Sequence, residues 1–209
     1  SPQAIILDQP RDVLQLPGFT AGLVSVQDEA AQLAAHLLQA KPGERLLDAC
    51  AAPGGKTCHV LELQPELEQL VAMDADEQRL QRVNENLQRL GLHASLQTGD
   101  AINPPSQWQP GEFDRILVDA PCSASGVIRR HPDVKLLRRE KDIPQLAQQQ
   151  LKILLGLWPL LRPGGTLLYA TCSILQEENS QVVTRFLDSQ DDARLSQLPH
   201  AWGQPVACG

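Results

Sequence analysis

Short apolar runs alternate with amphipathic stretches after residue 40, and this alternation restricts the fold more than any other feature. The apolar runs predict five strands, at 44–49, 70–74, 94–100, 114–120 and 165–171. The other stretches predict helices, at 25–38, from about 55, at 76–90, at 148–161 and at 177–187. Strands and helices that alternate in this way form a parallel sheet covered on both faces, so we expect an open α/β fold.

Local signals predict where several helices begin and end. Ser25 is expected near the N-terminal cap of the first helix. Acidic residues lead the 76–90 helix and Gly91 follows it, which is typical of a helix end. Pro159 is expected to kink or end the helix that starts at Gln148.

Four of the five predicted strands end at or beside an aspartate, namely Asp48, Asp74, Asp100 and Asp119. The fifth strand ends at Thr171 and Cys172. In open α/β sheets, ligands bind beyond the carboxyl ends of the strands. One aspartate in such a place is commonly a turn former or a helix cap. Four at one edge of a sheet indicate a ligand site.

The loop after the first strand, DACAAPGGKT at 48–57, ends like a phosphate-binding loop. A P-loop requires G-x-x-x-x-G-K-[ST], and Cys50 stands where its first glycine would be. The strand RILVDA resembles the one that helps to hold magnesium in P-loop enzymes, so an NTPase is one candidate. Against it, Asp48 would place negative charge beside a triphosphate. A cofactor with a cationic centre and two ribose hydroxyls, such as S-adenosylmethionine, suits that carboxylate better.

Spacing favours the second candidate. Asp74 lies 20 residues after Gly54, at the end of the second strand, where an acid accepts hydrogen bonds from ribose hydroxyls. Asp100 ends the third strand and is placed to reach an adenine. Gly54 and Gly55 allow the backbone to approach a cofactor closely. We therefore expect an S-adenosylmethionine site at this edge.

Cysteine content and hydropathy limit the cellular setting. The five cysteines are Cys50, Cys58, Cys122, Cys172 and Cys208. Their odd number and wide spacing are not typical of a disulfide framework or a zinc cluster, so we expect a reduced, cytoplasmic protein without a metal. The longest apolar runs are too short to span a membrane.

Five segments together resemble the successive motifs of the RNA cytosine-C5 methyltransferases, from about residue 5 to residue 190. They are DACAAPGGKT, VAMDADEQRLQRVNENLQRLGL, GD, FDRILVDAPCSASGVIRRHPDVK and LLRPGGTLLYATCSILQEEN. Within that family they are most similar to the bacterial small-subunit rRNA methyltransferases of type B. The resemblance implies a Rossmann-like class I fold with a binding site for S-adenosylmethionine. It also implies that the protein methylates C5 of a cytosine in RNA, and that this RNA is 16S rRNA.

The chemistry of cytosine explains why such an enzyme needs cysteine. C5 of cytosine is too poor a nucleophile to take a methyl group unaided, and a thiolate that adds to C6 makes it reactive. Cys122 and Cys172 both follow strands that reach the ligand edge, and the residues alone do not say which one attacks. The resemblance implies that Cys172 is the nucleophile, that Cys122 assists product release, and that Asp119 contacts N3 of the cytosine. Lys56 is a candidate for lowering the pKa of the thiol.

The remaining site residues also follow from the resemblance and from the loop. The expected cofactor-binding residues are Ala51, Ala52, Pro53, Gly54, Gly55, Lys56, Thr57, Asp74, Asp100 and Asp119. The net charge of the chain is −7, but the segment 129–141 holds six of its eighteen Lys and Arg. Such a run is commonly a solvated helix face, but its position directly after the Cys122 loop favours contact with RNA phosphates. The expected RNA-binding residues are Arg129, Arg130, Lys135, Arg138 and Arg139.

The resemblance also predicts the domain organisation. Residues 1–40 are expected to form a lead-in segment whose helix packs on a catalytic domain at 41–209. The family's N-terminal RNA-binding domain and its last strand, near a GDGFF-like segment, are expected to be missing, and we expect a monomer. A ribosome-assembly binding module without turnover remains an alternative, although a pure binder would need neither Cys122 nor Cys172.

Overall fold

A computed structural model describes residues 4–197, and a parallel sheet lies at its centre. The strands are β1 (Arg45–Asp48), β2 (Gln69–Asp74), β3 (Ser95–Thr98), β4 (Phe113–Asp119) and β5 (Leu161–Ala170). Their order is β3-β2-β1-β4-β5, and each neighbouring pair is parallel. All five predicted strands are confirmed. β5 begins at Leu161, earlier than predicted, because its first residue pairs with Phe113 across a β-bulge in the ladder.

Within residues 4–197, six α-helices connect and flank the strands. They are α1 (Glu29–Leu38), α2 (Gly55–Leu63), α3 (Glu77–Leu90), α4 (Val134–Leu137), α5 (Asp142–Leu157) and α6 (Ser180–Ser189). The prediction for Pro159 is confirmed, since α5 ends at Leu157 and the proline lies in a single 3₁₀ turn. α5 begins at Asp142 instead of Gln148, because Pro144 falls in its first turn, where a missing N–H costs nothing.

The start of α1 differs from the prediction. Asp28, not Ser25, is its N-terminal cap, and the Asp28 carboxylate accepts a hydrogen bond of 2.9 Å from the backbone N–H of Ala30. Ser25 instead lies 3.5 Å from an Arg89 guanidinium nitrogen. Ser25 and Asp28 have similar capping propensities and lie close together in the sequence, so the sequence alone does not distinguish between them.

Helices cover both faces of the sheet, which confirms the predicted fold class. Successive strand residues point to opposite faces, so Ile116 and Val118 pack with α5 and α6, while Leu117 packs with α1, α2 and α3. Two apolar cores result, one on each side of the sheet. Because the strand order reverses between β1 and β4, this fold opens a crevice at their carboxyl ends. None of the helices in the described range is both long and apolar enough to cross a membrane.

Candidate active site

A cavity of about 790 Å³ lies at the carboxyl edge of the sheet. Most of the residues predicted for chemistry or cofactor binding line it. These are Ala52, Lys56, Asp74, Asp100, Asp119, Cys122 and Cys172. The cavity therefore brings together side chains that follow all five strands. Such an arrangement can hold a small organic ligand beside two thiols.

Buried carboxylates fix the shape of the loop between β1 and α2. The hydroxyl of Thr57 donates a hydrogen bond of 2.7 Å to Asp48, and both side chains are almost fully buried. Asp74 accepts a bond of 3.1 Å from the backbone N–H of Ala52. Gly54, with φ of 99°, is the N-terminal cap of α2, a conformation that favours glycine.

The loop residues are not all at the cavity. Ala51, Pro53 and Gly55 line a smaller adjoining pocket of about 200 Å³, which shares Lys56 and Asp119 with the main cavity. Thr57 lies behind the loop, bonded to Asp48, and lines neither pocket. In a P-loop this hydroxyl would hold magnesium. The engagement of Thr57 with a buried carboxylate therefore disfavours the NTPase alternative.

The charges around the cavity fit a cofactor that has a cationic centre and ribose hydroxyls. Asp74 is 4% exposed, accepts bonds from the backbone N–H groups of Ala52 and Asp76, and forms an ion pair with Arg79 at 3.5 Å. A carboxylate has about four lone-pair sites, so one stays available to a ligand. Asp48 lines the smaller adjoining pocket, where burial raises its pKa to about 7, and one of its carboxylate oxygens, Oδ1, has no hydrogen-bond partner among the described residues. Asp100 accepts bonds from Ile102 and Asn103, which orient its carboxylate at the cavity wall. No group of three or more His, Cys, Asp and Glu within residues 4–197 could hold a metal ion.

Lys56 contacts Asp119 and not the thiols. Its ammonium nitrogen lies 2.5 Å from Oδ2 of Asp119, and both side chains are partly buried. The prediction that Lys56 lowers the pKa of the nucleophile has no support in this contact. Instead, the lysine orients the carboxylate that was predicted to contact the base.

The two predicted catalytic cysteines are adjacent. The sulfur atoms of Cys122 and Cys172 lie 3.1 Å apart, and either can donate its S–H to the other. The two cysteines follow β4 and β5, which are neighbours in the sheet. The backbone N–H of Gly126 also donates a bond of 2.8 Å to the Cys172 carbonyl, so the two loops are joined by their backbones.

The thiols of this pair differ in acidity from the other described thiols. The hydrogen bond from Cys172 lowers the pKa of Cys122 to about 7, and the same contact raises the pKa of Cys172. Burial raises the pKa of Cys50 to about 12 and that of Cys58 to about 11. The pair therefore loses one proton readily near neutral pH, while Cys50 and Cys58 stay protonated. Cys208 lies outside the described residues.

A buried polar cluster behind the cysteines is absent from the predicted set of site residues. Its centre is Glu178, which is 0% exposed and accepts hydrogen bonds from Ser123, Ser173 and Gln150. Gln150 is also 0% exposed and donates a bond of 3.0 Å to the carbonyl of Pro121. The only sequence signal was a second glutamate in QEEN, which is equally typical of a helix start.

The basic segment lies beside the cysteine loops. Arg138 donates hydrogen bonds to the carbonyls of Ser123 and Cys122, at 3.0 and 3.3 Å. Arg130 forms an ion pair with Asp28 at the start of α1. The other three predicted RNA-binding side chains are exposed and make no hydrogen bond or ion pair with another residue of the described range. These are Arg129, Lys135 and Arg139.

The chain has the Rossmann-like fold of the class I methyltransferases. The features that define this class are the parallel sheet, the helices on both of its faces and the cavity at its carboxyl edge. The chain belongs to the 16S rRNA methyltransferase RsmB/F family, whose family model matches residues 35–209.

Similar proteins agree with this assignment. The Ribosomal RNA small subunit methyltransferase B of Pseudomonas syringae pv. tomato is 55% identical over 207 residues, which is 99% of this chain and 46% of that protein. The protein of the same name from Vibrio cholerae is 59% identical over 192 residues, 92% of this chain and 44% of that one. The chain thus spans a little less than half the length of these curated relatives.

Two solved structures from Pyrococcus horikoshii share the fold. A methyltransferase homolog protein superimposes with a TM-score of 0.79 at 35% identity, covering 95% of this chain and 61% of that one. The structure of NSun6 with SFG superimposes with a TM-score of 0.78 at 31% identity, covering 86% of this chain and 46% of that one.

Proposed function

We propose that this chain transfers a methyl group from S-adenosylmethionine to C5 of a cytosine in RNA, through a covalent bond between Cys172 and C6. The substrate that the relatives' names support is small-subunit (16S) rRNA. The observation that carries the proposal is the pair of sulfur atoms, 3.1 Å apart, at the wall of a cavity that also contains Asp74. A binding module would need no such pair.

Two observations support S-adenosylmethionine as the cofactor. The NSun6 structure contains SFG, an analogue of this cofactor, in the same fold. In the present chain, Asp74 would hold the ribose hydroxyls, and Ala52 and the following loop would lie along the cofactor. When bound, the cofactor supplies an electrophilic methyl group on a sulfonium centre.

The residues of the chain account for activation of the base. The two thiols share one proton near neutral pH, and with that proton on Cys122 the thiolate of Cys172 adds to C6. This addition makes C5 electron-rich and able to form a bond with the methyl carbon. N3 takes up a proton from solvent while the ring carries this extra electron density, and the Asp119 carboxylate, oriented by Lys56, accepts a hydrogen bond from that N3–H. The C5 and N3 protons then pass to solvent water, the C6–sulfur bond breaks with its electron pair on the Cys172 sulfur, and the aromatic ring returns. Cys122 lies close enough to Cys172 to exchange a proton with it at the end of the cycle.

The target base must be outside a base stack before a thiol can reach C6. The basic segment 129–141 would hold the RNA backbone beside the Cys122 loop, to which Arg138 is already bonded. The negative charge of the chain as a whole would limit non-specific binding, because such binding depends on phosphate electrostatics.

The proposed function is tested by incubation with methyl-labelled S-adenosylmethionine and unmethylated 16S rRNA, followed by nuclease digestion. We expect label in 5-methylcytidine at a defined position. Label in another nucleoside would contradict the proposed chemistry, and label only in an RNA other than 16S rRNA would contradict the proposed substrate.

Asp74→Asn is expected to weaken the binding of S-adenosylhomocysteine by about 10- to 100-fold, because it removes a charge-assisted hydrogen bond. Isothermal titration without magnesium measures this change. The matched control is Asp76→Asn, which changes a nearby carboxylate that caps α3 and does not line the cavity. Unchanged affinity in Asp74→Asn, or binding of ATP that requires magnesium, would contradict the assignment.

Arg129→Ala combined with Arg139→Ala is expected to weaken RNA binding and to reduce the salt dependence of the affinity. Each lost phosphate contact should lower the slope of log affinity against log salt by about 1. Filter binding over a range of salt concentrations provides the measurement, and Arg82→Ala is the control because Arg82 is an exposed arginine on α3. Equal slopes in the double variant and the wild type would exclude these arginines from the interface.

A further inference from the structure

Glu178 joins the two loops that carry the cysteines. One carboxylate oxygen, Oε1, accepts a hydrogen bond of 2.8 Å from the backbone N–H of Ser123, directly after Cys122. The other, Oε2, accepts a bond of 2.5 Å from the hydroxyl of Ser173, directly after Cys172. A single side chain therefore spans from the residue after one cysteine to the residue after the other.

The surroundings of Glu178 make this link rigid. The side chain is 0% exposed, and Gln150 donates a third bond to Oε1 at 3.0 Å while also bonding to Pro121. The Tyr169 hydroxyl donates a bond of 2.6 Å to the backbone carbonyl of Glu178. A buried and fully bonded carboxylate has little freedom to move, so the groups bonded to it are held in place.

The charge of Glu178 does not itself favour a thiolate. No ion pair within residues 4–197 involves this carboxylate, and burying a charge without a counter-ion is costly. Its negative charge acts to raise the pKa of Cys122, against the larger lowering by the Cys172 thiol. The benefit that explains a buried carboxylate here is therefore geometric.

We infer that Glu178 is a positioning residue, whose two carboxylate oxygens hold the Cys122 and Cys172 loops so that the sulfur atoms stay in contact. The inference rests on the proposed function for its effect on turnover, but the position of the sulfurs can be measured without methyl transfer. A shift of about 1 Å in a reacting group can cost about 100-fold in rate, so the expected effect on turnover is large.

Two conservative variants separate the effect of side-chain length at position 178 from the effect of its charge. Glu178→Asp keeps the charge but shortens the side chain, so it cannot bond to both loops. We expect its kcat to fall by about 30- to 100-fold, with KM for S-adenosylmethionine little changed. Glu178→Gln keeps the length and can keep all three contacts if the Ser173 hydroxyl becomes an acceptor. Its kcat should stay within about fivefold of the wild type.

The pH dependence of thiol alkylation gives a third readout. Glu178→Gln removes a negative charge near the pair, so the midpoint for alkylation should move to lower pH. Glu178→Asp should not move the midpoint in that direction, because it keeps the charge. If charge were the important property, Glu178→Gln would be the slow variant and Glu178→Asp the active one, and the inference would be overturned.

A trivalent arsenical, phenylarsine oxide, reports on the distance between the sulfurs directly, because one arsenic atom binds two adjacent thiols and releases water. We expect wild type, Glu178→Gln and the control Glu177→Asp, which changes an exposed glutamate, to bind one equivalent and protect Cys122 and Cys172 from alkylation. Glu178→Asp should lose this protection. Full protection in Glu178→Asp would overturn the inference. A wild type that binds the arsenical but transfers no methyl group would instead contradict the proposed function alone.

Discussion

Replacement of Cys172 by alanine is expected to lower methyl transfer by about four orders of magnitude or more, as loss of the nucleophile does in covalent catalysis. Without addition of sulfur to C6, C5 of the cytosine has too little electron density to take a methyl group. Because Cys172 is exposed, its truncation leaves no cavity in either apolar core. The binding of S-adenosylhomocysteine should therefore persist. Transfer of labelled methyl groups and isothermal titration measure the two effects.

The matched control for this prediction is Cys58→Ala. Cys58 is buried on the face of α2 that packs on the sheet and does not line the cavity that contains Cys122 and Cys172, and burial raises its pKa to about 11. We expect this variant to lose some stability and to keep its specific activity when folded. If Cys172→Ala kept activity comparable to that of Cys58→Ala, the assignment of the nucleophile would be wrong.

Replacement of Cys122 by alanine is expected to trap the protein on its RNA. The sulfur of Cys172 would still add to C6, but its neighbour at 3.1 Å would no longer be there to exchange a proton at the release step. Product should form in an amount close to one equivalent of enzyme and then stop. A denaturing gel should show a band of protein that carries RNA.

The double replacement of Cys122 and Cys172 by alanine is the control for the trapped species. It retains the effect of losing Cys122 on the loop but has no nucleophile, so no band should appear. Normal multiple turnover in Cys122→Ala would show that the second thiol has no part in release. A band in the double variant would show that a different residue attacks the base.

Much of this site could be predicted because it depends on where strands end. A run of apolar residues identifies a strand, and the residues directly after it must lie at the carboxyl edge of a parallel sheet. This reasoning predicts that Asp74, Asp119, Cys122 and Cys172 lie near one another, and all four line the same cavity. The sequence does not give the order of the strands in the sheet. The structure shows that β4 and β5 are neighbours, which brings the two sulfurs into contact.

The contacts that depend on side-chain direction could not be predicted. Lys56 pairs with Asp119 across 63 positions of sequence, and no local signal favours that partner over a thiol. Thr57 follows Lys56 directly but turns inward to Asp48, because the first turn of α2 packs on the sheet. Glu178 follows an exposed glutamate of the same type, so only the fold distinguishes the buried carboxylate from its neighbour.

The most direct test of the account is to identify the amino acid joined to RNA in the trapped Cys122→Ala protein. The adduct is digested with protease and nuclease, and the cross-linked peptide is sequenced by mass spectrometry. We predict a 5-methylcytidine derivative on the sulfur of Cys172, in the peptide that contains YATCSILQEEN. A nucleotide joined to any other residue would contradict the assignment of Cys172 as the nucleophile. A nucleotide that carries no methyl group at saturating S-adenosylmethionine would contradict the role of Cys122 in product release.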